Sequence, residues 1–337
     1  MLEPASRSDD RGENAAQDAV GIAQVAISAL DGQRSHDWYA TLGYAPAGCR
    51  RPTSDLSAVQ GVPNARLANL LWLVDRQEFF QLEIFEYASP EVRRQRRHRR
   101  ASDIGYARIG VWVADLDAAL ARLARIGTAA AAGPVGSTGA RWAAVFDPDG
   151  VMVELVENGD RTPSRSEPAR SSIAVATRRV TVSVPDLDRS LAFFADALGL
   201  RPTAGEDPHI EARESLWGMS STRARRALLD GGQLWLELVQ YLDPAGRPRP
   251  DGYRISDQGI LNIAVASRSL AGFTRVRDAV VAAGYPVHKE IARDQLHIQY
   301  ATDLDGFSVE LGYFDKKLDD VQGFLPRTST GELPDKD

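Results

Sequence analysis

The chain has 337 residues and a net charge of −6, and 43% of its residues are hydrophobic and 26% charged. This composition is typical of a globular protein of two or three domains and argues against general nucleic-acid binding. The single cysteine, Cys49, excludes an intrachain disulfide. Since no signal-type segment or apolar run of membrane-spanning length occurs, we expect a cytoplasmic protein.

Residues 1–19 are polar and aperiodic, which predicts a disordered tail. The chain then repeats one pattern four times, in which an apolar strand is followed by a capped helix and by further strands. In the second repeat, Asp115 precedes a helix with Leu116, Leu120 and Leu123 on one face. The repeat predicts four βαβββ modules, at about 20–88, 104–158, 176–242 and 257–314.

The predicted fold class is therefore α+β, built from four βαβββ modules. Their order along the chain suggests a first domain of two modules at 20–160 and a second at 176–315. A polar linker at 161–175 would join them. The last residues, 316–337, are rich in charge and predict a loosely held tail.

Each module closes with a strand that carries a glutamate between apolar residues. An ionised carboxylate in such a run needs a partner or a function, because burying an unpaired charge is costly. Repetition of the feature at comparable places indicates one architecture and marks where chemistry would lie. The four residues are Glu83, Glu154, Glu237 and Glu310.

Several motifs resemble those of one superfamily. They are WYATLG at 38–43, DPDGVMVE at 147–154, VPDLD at 184–188, FFADALG at 193–199 and DLDGFSVE at 303–310. Over about residues 20–314, the chain resembles the vicinal oxygen chelate superfamily, which includes glyoxalase I, bleomycin-resistance proteins and extradiol dioxygenases. The resemblance implies that pairs of modules curl around a cleft. Each module then offers one ligand from its first strand, usually histidine or glutamine, and a glutamate from its last.

The first-strand positions that correspond to those ligands hold no histidine. They are Gln24, Arg108, Arg179 and Asn262. Arginine has no acceptor atom and stays protonated, so Arg108 and Arg179 cannot bind a metal. The missing histidines also disfavour iron and zinc. The carbonyl oxygens of Gln24 and Asn262 instead suit a hard cation, with Mn²⁺ or Mg²⁺ favoured over Zn²⁺ or Fe²⁺.

Two ways of pairing the modules are open. Neighbour pairing joins one with two and three with four, and it places an arginine in each potential metal site. Crossed pairing joins one with four and two with three, and we prefer it because it separates the charges. It gives one cleft of Gln24, Glu83, Asn262 and Glu310, and another in which Arg108 and Arg179 neutralise Glu154 and Glu237 in structural ion pairs.

Glu310 and Glu83 are the predicted catalytic residues, because desolvated glutamates have a raised pKa and can move protons near neutral pH. Strand alternation places His297 on a face that we expect to line the cleft, where it is a candidate for substrate contact. Arg108 and Arg179 are candidates for the same role in their own cleft.

The predicted function is that of a small-molecule lyase, isomerase or epimerase that uses the cleft glutamates, with a divalent metal as an optional cofactor. A non-catalytic protein that binds an apolar or aromatic compound is the alternative, and a ring-cleaving dioxygenase is the least favoured. The arginine run at 93–100 is either a solvated connector or a binding site for a phosphate or carboxylate group. The expected partner is an apolar or anionic small molecule rather than nucleic acid or a membrane, and the chain is expected to be a monomer or homodimer.

Overall fold

The computed structural model describes residues 19–96, 99–158, 170, 172–204 and 211–333. The predicted disordered tail therefore lies outside the described residues except for Ala19, and so does most of the predicted linker. No helix in the described part of the chain is long and apolar enough to cross a membrane.

The described residues form four successive modules. The first contains β1 (Val20–Ala29), α1 (Gly32–Leu42), β2 (Ala45–Arg50), α2 (Ser57–Gln60), β3 (Arg66–Val74) and β4 (Gln81–Ser89). The second contains β5 (Gly105–Val113), α3 (Leu116–Arg125), β6 (Ala132–Ser137), β7 (Ala140–Phe146) and β8 (Met152–Asn158).

The second half of the chain repeats this order. The third module contains β9 (Val175–Ser183), α4 (Leu187–Leu191) continued by a π-helical turn (Ala192–Ala197), β10 (Arg201–Thr203), α5 (Glu211–Glu214), a 3₁₀ turn (Ser215–Trp217), β11 (Arg223–Asp230) and β12 (Trp235–Asp243). The fourth contains β13 (Gly259–Ser267), α6 (Leu270–Ala282), β14 (Ile291–Arg293), β15 (Leu296–Thr302) and β16 (Ser308–Phe314), and a 3₁₀ turn (Lys316–Leu318) follows it.

The first helix of each module begins at a side-chain cap. Asp115 has extended backbone angles and accepts a hydrogen bond from the amide of Ala118, so the predicted cap is confirmed. Such a cap satisfies an amide that the helix itself leaves without a partner. In the other modules the first helix is capped in the same way, by Asp31, Asp186 and Ser269.

The tight turns before β8 and β16 are built by aspartates. Asp147 Oδ1 accepts hydrogen bonds from the amides two and four residues later, at 2.9 and 2.8 Å. Asp303 Oδ1 does the same at 2.9 and 2.7 Å. An aspartate that bonds its own following backbone favours a reversal, and these two turns set the start of each glutamate strand.

The strands form two eight-stranded sheets, and each sheet takes one module from each half of the chain. The first has the order β14-β15-β16-β13-β1-β4-β3-β2, and the second has the order β10-β11-β12-β9-β5-β8-β7-β6. Crossed pairing of the modules is therefore confirmed. The division at 20–160 and 176–315 describes the order of modules along the chain, but the sheets do not follow it, because β1 pairs with β13 and β5 with β9.

One apolar core joins the helix-covered faces of both sheets. Ile22, Val25 and Ile27 of β1 belong to the same buried cluster as Val180 and Val182 of β9. Alternation along the strands, with a register shift between Ile22 and Gln24 in β1, places these residues on one face and leaves the other face to the cleft. The core therefore determines which face of each strand can line a cleft.

Residues 319–333, here called the C-terminal strap, do not form a loose tail. Val321, Phe324 and Leu333 are all buried. Leu333 donates its amide to the carbonyl of Cys49 at 2.8 Å and packs on Gly48, where a Cβ atom would lie 2.6 Å from the Leu333 side chain. The expectation of a loosely held end failed because three apolar residues anchor the strap; residues 334–337 lie outside the described residues.

Candidate active site

Strand register brings Glu83 and Glu310 to the concave face of the first sheet. Glu83 pairs across the parallel ladder with Ala26, and Glu310 pairs with Ala264. Paired residues point to the same face of a sheet, so each carboxylate has an alanine beside it. The short alanine side chains leave space between the two glutamates, which come from opposite halves of the chain.

That space is a cavity of about 440 Å³. Gln24, Glu83 and Glu310 line it, whereas Asn262 is buried nearby without lining it. Three of the four residues predicted for this cleft therefore share one cavity. Its apolar walls include Leu67, Leu70, Trp72, Phe85, Ile298 and Phe314.

Both glutamates are buried and hold their protons more tightly than usual. Burial, together with the negative charge of Glu310, raises the pKa of Glu83 well above its ordinary value, although Trp72 Nε1 donates to Glu83 Oε1 at 2.8 Å. Burial raises the pKa of Glu310 to about 7, against a hydrogen bond from Tyr300 that lowers it. Two such carboxyls in one cavity can hold and exchange protons near neutral pH.

The amides beside the glutamates form a short hydrogen-bonded chain. Gln24 Nε2 donates to Gln81 Oε1 at 2.5 Å, and Gln81 Nε2 donates to the carbonyl of Gln322 in the strap at 2.8 Å. The buried Gln24 Oε1 has no hydrogen-bond partner among the described residues, and neither has Asn262 Nδ2. Buried polar atoms are normally satisfied, so these two atoms are available to a ligand.

The cavity mouth carries positive charge and is partly covered by the strap. Arg50, Arg51 and Arg293 line it, and Arg50 Nη2 donates to the carbonyl of Val321 at 2.6 Å. Glu332 and Leu333 of the strap line it as well. The strap therefore narrows the entrance at the side that holds the arginines.

The concave face of the second sheet is filled by an ion-pair network. Arg108 is fully buried, with Nε 3.2 Å from Glu154 Oε2 and Nη2 3.3 Å from Glu237 Oε2. Arg179 Nη1 lies 3.7 Å from the same Glu237 oxygen. Thr181 Oγ1 donates to Glu237 Oε2 at 2.8 Å. The two arginines and two glutamates are therefore compensated within the protein.

Aromatic side chains close this second cleft. Trp217 Nε1 donates to Glu154 Oε1 at 2.5 Å, and its ring lies 3.8 Å from the guanidinium carbon of Arg108. Tyr241 Oη accepts from Arg108 Nη1 at 3.2 Å. A completely buried Arg108 has no face toward a ligand, so a substrate contact by Arg108 would require Trp217 to move.

The comparisons with known proteins agree with this architecture. Residues 177–311 match the sequence model of the glyoxalase/bleomycin resistance protein/dioxygenase superfamily. Glyoxalase I from Zea mays superposes with a TM-score of 0.56 at 17% identity, over 88% of this chain and 92% of that one. A dioxygenase-like protein from Bacillus subtilis superposes with a TM-score of 0.59 at 13% identity, over 93% of this chain and 98% of that one. No curated protein matches the chain in sequence.

The chain has the vicinal oxygen chelate fold. The resemblance drawn from its motifs is confirmed, and so is the α+β class with two clefts. Structural similarity at this identity shows the fold, and the fold hosts many reactions. The activity must therefore be argued from the cleft residues of this chain.

Within this fold, His297 lies on the opposite face from the cleft. Its Nδ1 is 2.5 Å from Glu290 Oε1, and its ring packs beside Phe273 of α6 and Tyr313. The expectation of a cleft position is corrected by the register of β15, in which Tyr300 pairs with Glu310. Alternation then sends the even-numbered residues of the strand into the cleft and His297 toward the helix.

Sequence reasoning missed the donors that hold the two glutamates. Trp72 pairs with Glu83 across β3 and β4, and Tyr300 pairs with Glu310 across β15 and β16. An aromatic donor thus lies directly opposite each carboxylate. The available signal was the antiparallel hairpin that precedes each glutamate, since counting back across its turn gives the opposing residue.

The first cleft offers oxygen atoms to a cation. Among the residues that the structure describes, no three His, Cys, Asp or Glu side chains are grouped to hold a metal. Glu83, Glu310 and the unpartnered Gln24 Oε1 give an oxygen-only set, which fits Mg²⁺ or Mn²⁺ better than Zn²⁺ or Fe²⁺. Asn262 presents its amide nitrogen as the unpartnered atom, so its predicted role as a ligand is not supported by this geometry.

Proposed function

We propose that the protein is a small-molecule enzyme, a lyase, isomerase or epimerase, that moves a proton at a carbon beside a carbonyl group. The observation that carries this proposal is the pair of buried carboxyls, Glu83 and Glu310, in one cavity with raised pKa values. A general base works best when its pKa lies near the working pH, and the Glu310 pKa of about 7 meets that condition.

The two glutamates are suited to different steps. Glu310 is partly ionised at neutral pH and takes the proton from the substrate carbon. Glu83 keeps its proton, because burial and the Glu310 charge raise its pKa further, and it returns a proton to the intermediate.

The lining favours a small anionic compound with an apolar portion. The guanidinium groups of Arg50, Arg51 and Arg293 suit a carboxylate or phosphate at the mouth. The leucine, tryptophan and phenylalanine walls suit a short apolar body. We also propose a cytoplasmic location, in keeping with the free Cys49 thiol.

A divalent cation at the same place is compatible with the donors. Glu83, Glu310 and Gln24 Oε1 would hold it, and when bound it would draw electron density from the substrate carbonyl. Arg50, Arg51 and Arg293 would then bind and orient the anionic part of the substrate, and a carboxylate oxygen that does not hold the cation would take the proton. Binding of Mn²⁺ to the purified protein, and its loss in Glu83→Gln, tests this version.

Solvent-deuterium exchange tests the proposal directly. Pyruvate and phenylpyruvate serve as probes, because each has a carboxylate and exchangeable hydrogens beside a carbonyl. We expect exchange above the spontaneous rate, lowered at least a hundredfold in Glu310→Gln and unchanged in Glu91→Gln, whose side chain is exposed on a connector. Exchange that survives in both Glu310→Gln and Glu83→Gln, or no exchange with either probe, would contradict it.

A non-catalytic binding protein is the second candidate, and the strap over the apolar cavity favours it. A cover that buries Leu333 beside the mouth suits slow release of a ligand more than rapid turnover. The two functions differ in their dependence on Glu310. Unchanged affinity for an aromatic carboxylate in Glu310→Gln, without any exchange in the wild type, would favour binding alone.

A further inference from the structure

The two connectors that join modules within each half cross at the seam between the sheets. The first, residues 90–104, leads from β4 to β5, and the second, residues 244–258, leads from β12 to β13. Matching ion pairs tie them together: Arg93 Nη2 lies 2.5 Å from Asp257 Oδ2, and Arg247 Nη2 lies 2.6 Å from Asp103 Oδ2. These pairs use Asp103 and Asp257, whereas Asp251 of the second connector is exposed.

A cavity of about 170 Å³ lies at this crossing, away from either cleft. Its charged lining consists of five arginines and two aspartates. Arg93 forms an ion pair with Asp257. Arg247, which does not line the cavity, forms an ion pair with Asp103. The remaining lining arginines are Arg94, Arg96, Arg99 and Arg249.

Arg249 keeps two guanidinium nitrogens without a partner. Its Nη1 donates to the carbonyl of Gly306 at 2.7 Å, whereas the buried Nε and Nη2 have no partner among the described residues. Its guanidinium carbon lies 4.1 Å from the Phe307 ring centre and 4.9 Å from that of Tyr253. Aromatic rings on this side hold the guanidinium in place without neutralising it.

Arg99 lines the same cavity, and its guanidinium group also has no hydrogen bond to a carboxylate among the described residues. Its guanidinium donates to the carbonyl of Tyr106 and, at 3.2 Å, to Gln95 Oε1, and both acceptors are neutral. Burial lowers the pKa of Arg99, Tyr253 and Asp103 oppose that effect, and the positive charge of Arg249 adds a smaller lowering. The two guanidinium groups are partly buried and repel one another, while Asp103 is already paired with Arg247 and Asp303 interacts electrostatically with Arg249. An anion bound between them would offset this repulsion.

We propose that this cavity binds the phosphate group of a small phosphorylated compound, held between Arg99 and Arg249. A phosphate carries up to two charges and several acceptor oxygens, so it can accept hydrogen bonds from both guanidinium groups at once. Gln95 Nε2, also unpartnered among the described residues, is a further donor. Ile104, Ile255 and Leu261 in the lining leave room for a short apolar part. The site is separate from the glutamate cleft and does not rest on its proposed chemistry.

Calorimetry with inorganic phosphate and with phenyl phosphate, at constant ionic strength set with chloride, tests the proposal. We expect binding of both probes, tighter for phenyl phosphate because of the apolar lining. Arg249→Gln should weaken it at least tenfold, since charge-assisted hydrogen bonds are lost. Arg125→Gln, which removes the same charge from an exposed helix position, should change it less than twofold. Equal weakening in both variants, or no binding by the wild type, would overturn the proposal.

Thermal unfolding shows whether a variant has lost phosphate binding because it is misfolded. Without phosphate, Arg249→Gln should unfold close to the wild-type temperature, because loss of the hydrogen bond to Gly306 is offset by removal of a guanidinium group with two unpartnered nitrogens. Phosphate should raise the unfolding temperature of the wild type and of Arg125→Gln, but not that of Arg249→Gln or Arg99→Gln. An equal rise in all four proteins would show non-specific charge binding and overturn the proposal.

Discussion

Replacing Glu310 by glutamine should change how the stability of the protein depends on pH. The side chain is 4% exposed, and its pKa is raised from 4.5 to about 7 by burial. The folded protein therefore binds this proton more tightly than the unfolded chain does. Its contribution to the free energy of unfolding is fully present below pH 4.5 and is lost as the pH rises through 7.

The magnitude follows from the change in pKa. At about 1.4 kcal/mol for each pKa unit, ionisation of Glu310 costs the folded state about 3 kcal/mol by pH 8. Glu310→Gln cannot ionise and does not carry this cost. The variant should therefore match the wild type near pH 4 and exceed it by about 3 kcal/mol at pH 8. Loss of the Glu310 charge also lowers the pKa of Glu83, so the difference should be no smaller.

Urea denaturation at pH 4, 6 and 8 measures this difference directly. Effects of pH on groups other than Glu83 cancel when the variant is subtracted from the wild type, and the change at Glu83 has the same sign as that at Glu310. Glu91→Gln, at an exposed position, should give a difference that is flat with pH. A flat difference for Glu310→Gln as well would refute the argument that Glu310 is a desolvated carboxyl with a raised pKa.

Three further predictions concern the surroundings of the clefts. Arg108→Met should lower the free energy of unfolding by about 3–5 kcal/mol, because it leaves the buried Glu154 without its cation and Glu237 with Arg179 alone, and a loss below about 1 kcal/mol would contradict the ion-pair network. Leu333→Ala should cost about 2–3 kcal/mol in a urea titration and speed release of any cleft ligand, whereas an unchanged release rate would show that the strap does not cover the mouth. Trp72→Phe removes the donor to Glu83 and should raise the pKa of Glu83 further, shifting the alkaline limb of the pH–exchange profile, where Glu83 loses its proton, to higher pH; an unshifted limb would contradict a role for Trp72 in the site.

The glutamate pattern and the module boundaries could be predicted from the sequence because they are local. Each glutamate stands inside an apolar run that closes a module begun by a strand and a capped helix. The crossed pairing could be preferred on charge alone, since it places Arg108 and Arg179 with Glu154 and Glu237. Sheet order confirms it.

The donors around Glu83 and Glu310 depend on register, which local patterns do not fix. Alternation correctly separates the two faces of β15, but it does not say which face meets the cleft. The pairing of Tyr300 with Glu310 decides this, and it turns His297 toward α6. The strap escaped prediction for a related reason: Val321, Phe324 and Leu333 follow no period, and their burial depends on tertiary contacts. Leu333 packs on Gly48 of β2, and Phe324 packs beside Phe79 and Phe314.

Crossed pairing also decides how the chain can be divided. A cut between residues 158 and 170 yields two fragments, and each fragment holds only half of both sheets. Each would expose the edge of its inner strands, β1 and β5 in one and β9 and β13 in the other. The fragments should therefore be insoluble when made alone and should reconstitute the fold when made together. Exchange of one half for that of a relative would replace strands in the glutamate cleft and in the sealed cleft at the same time.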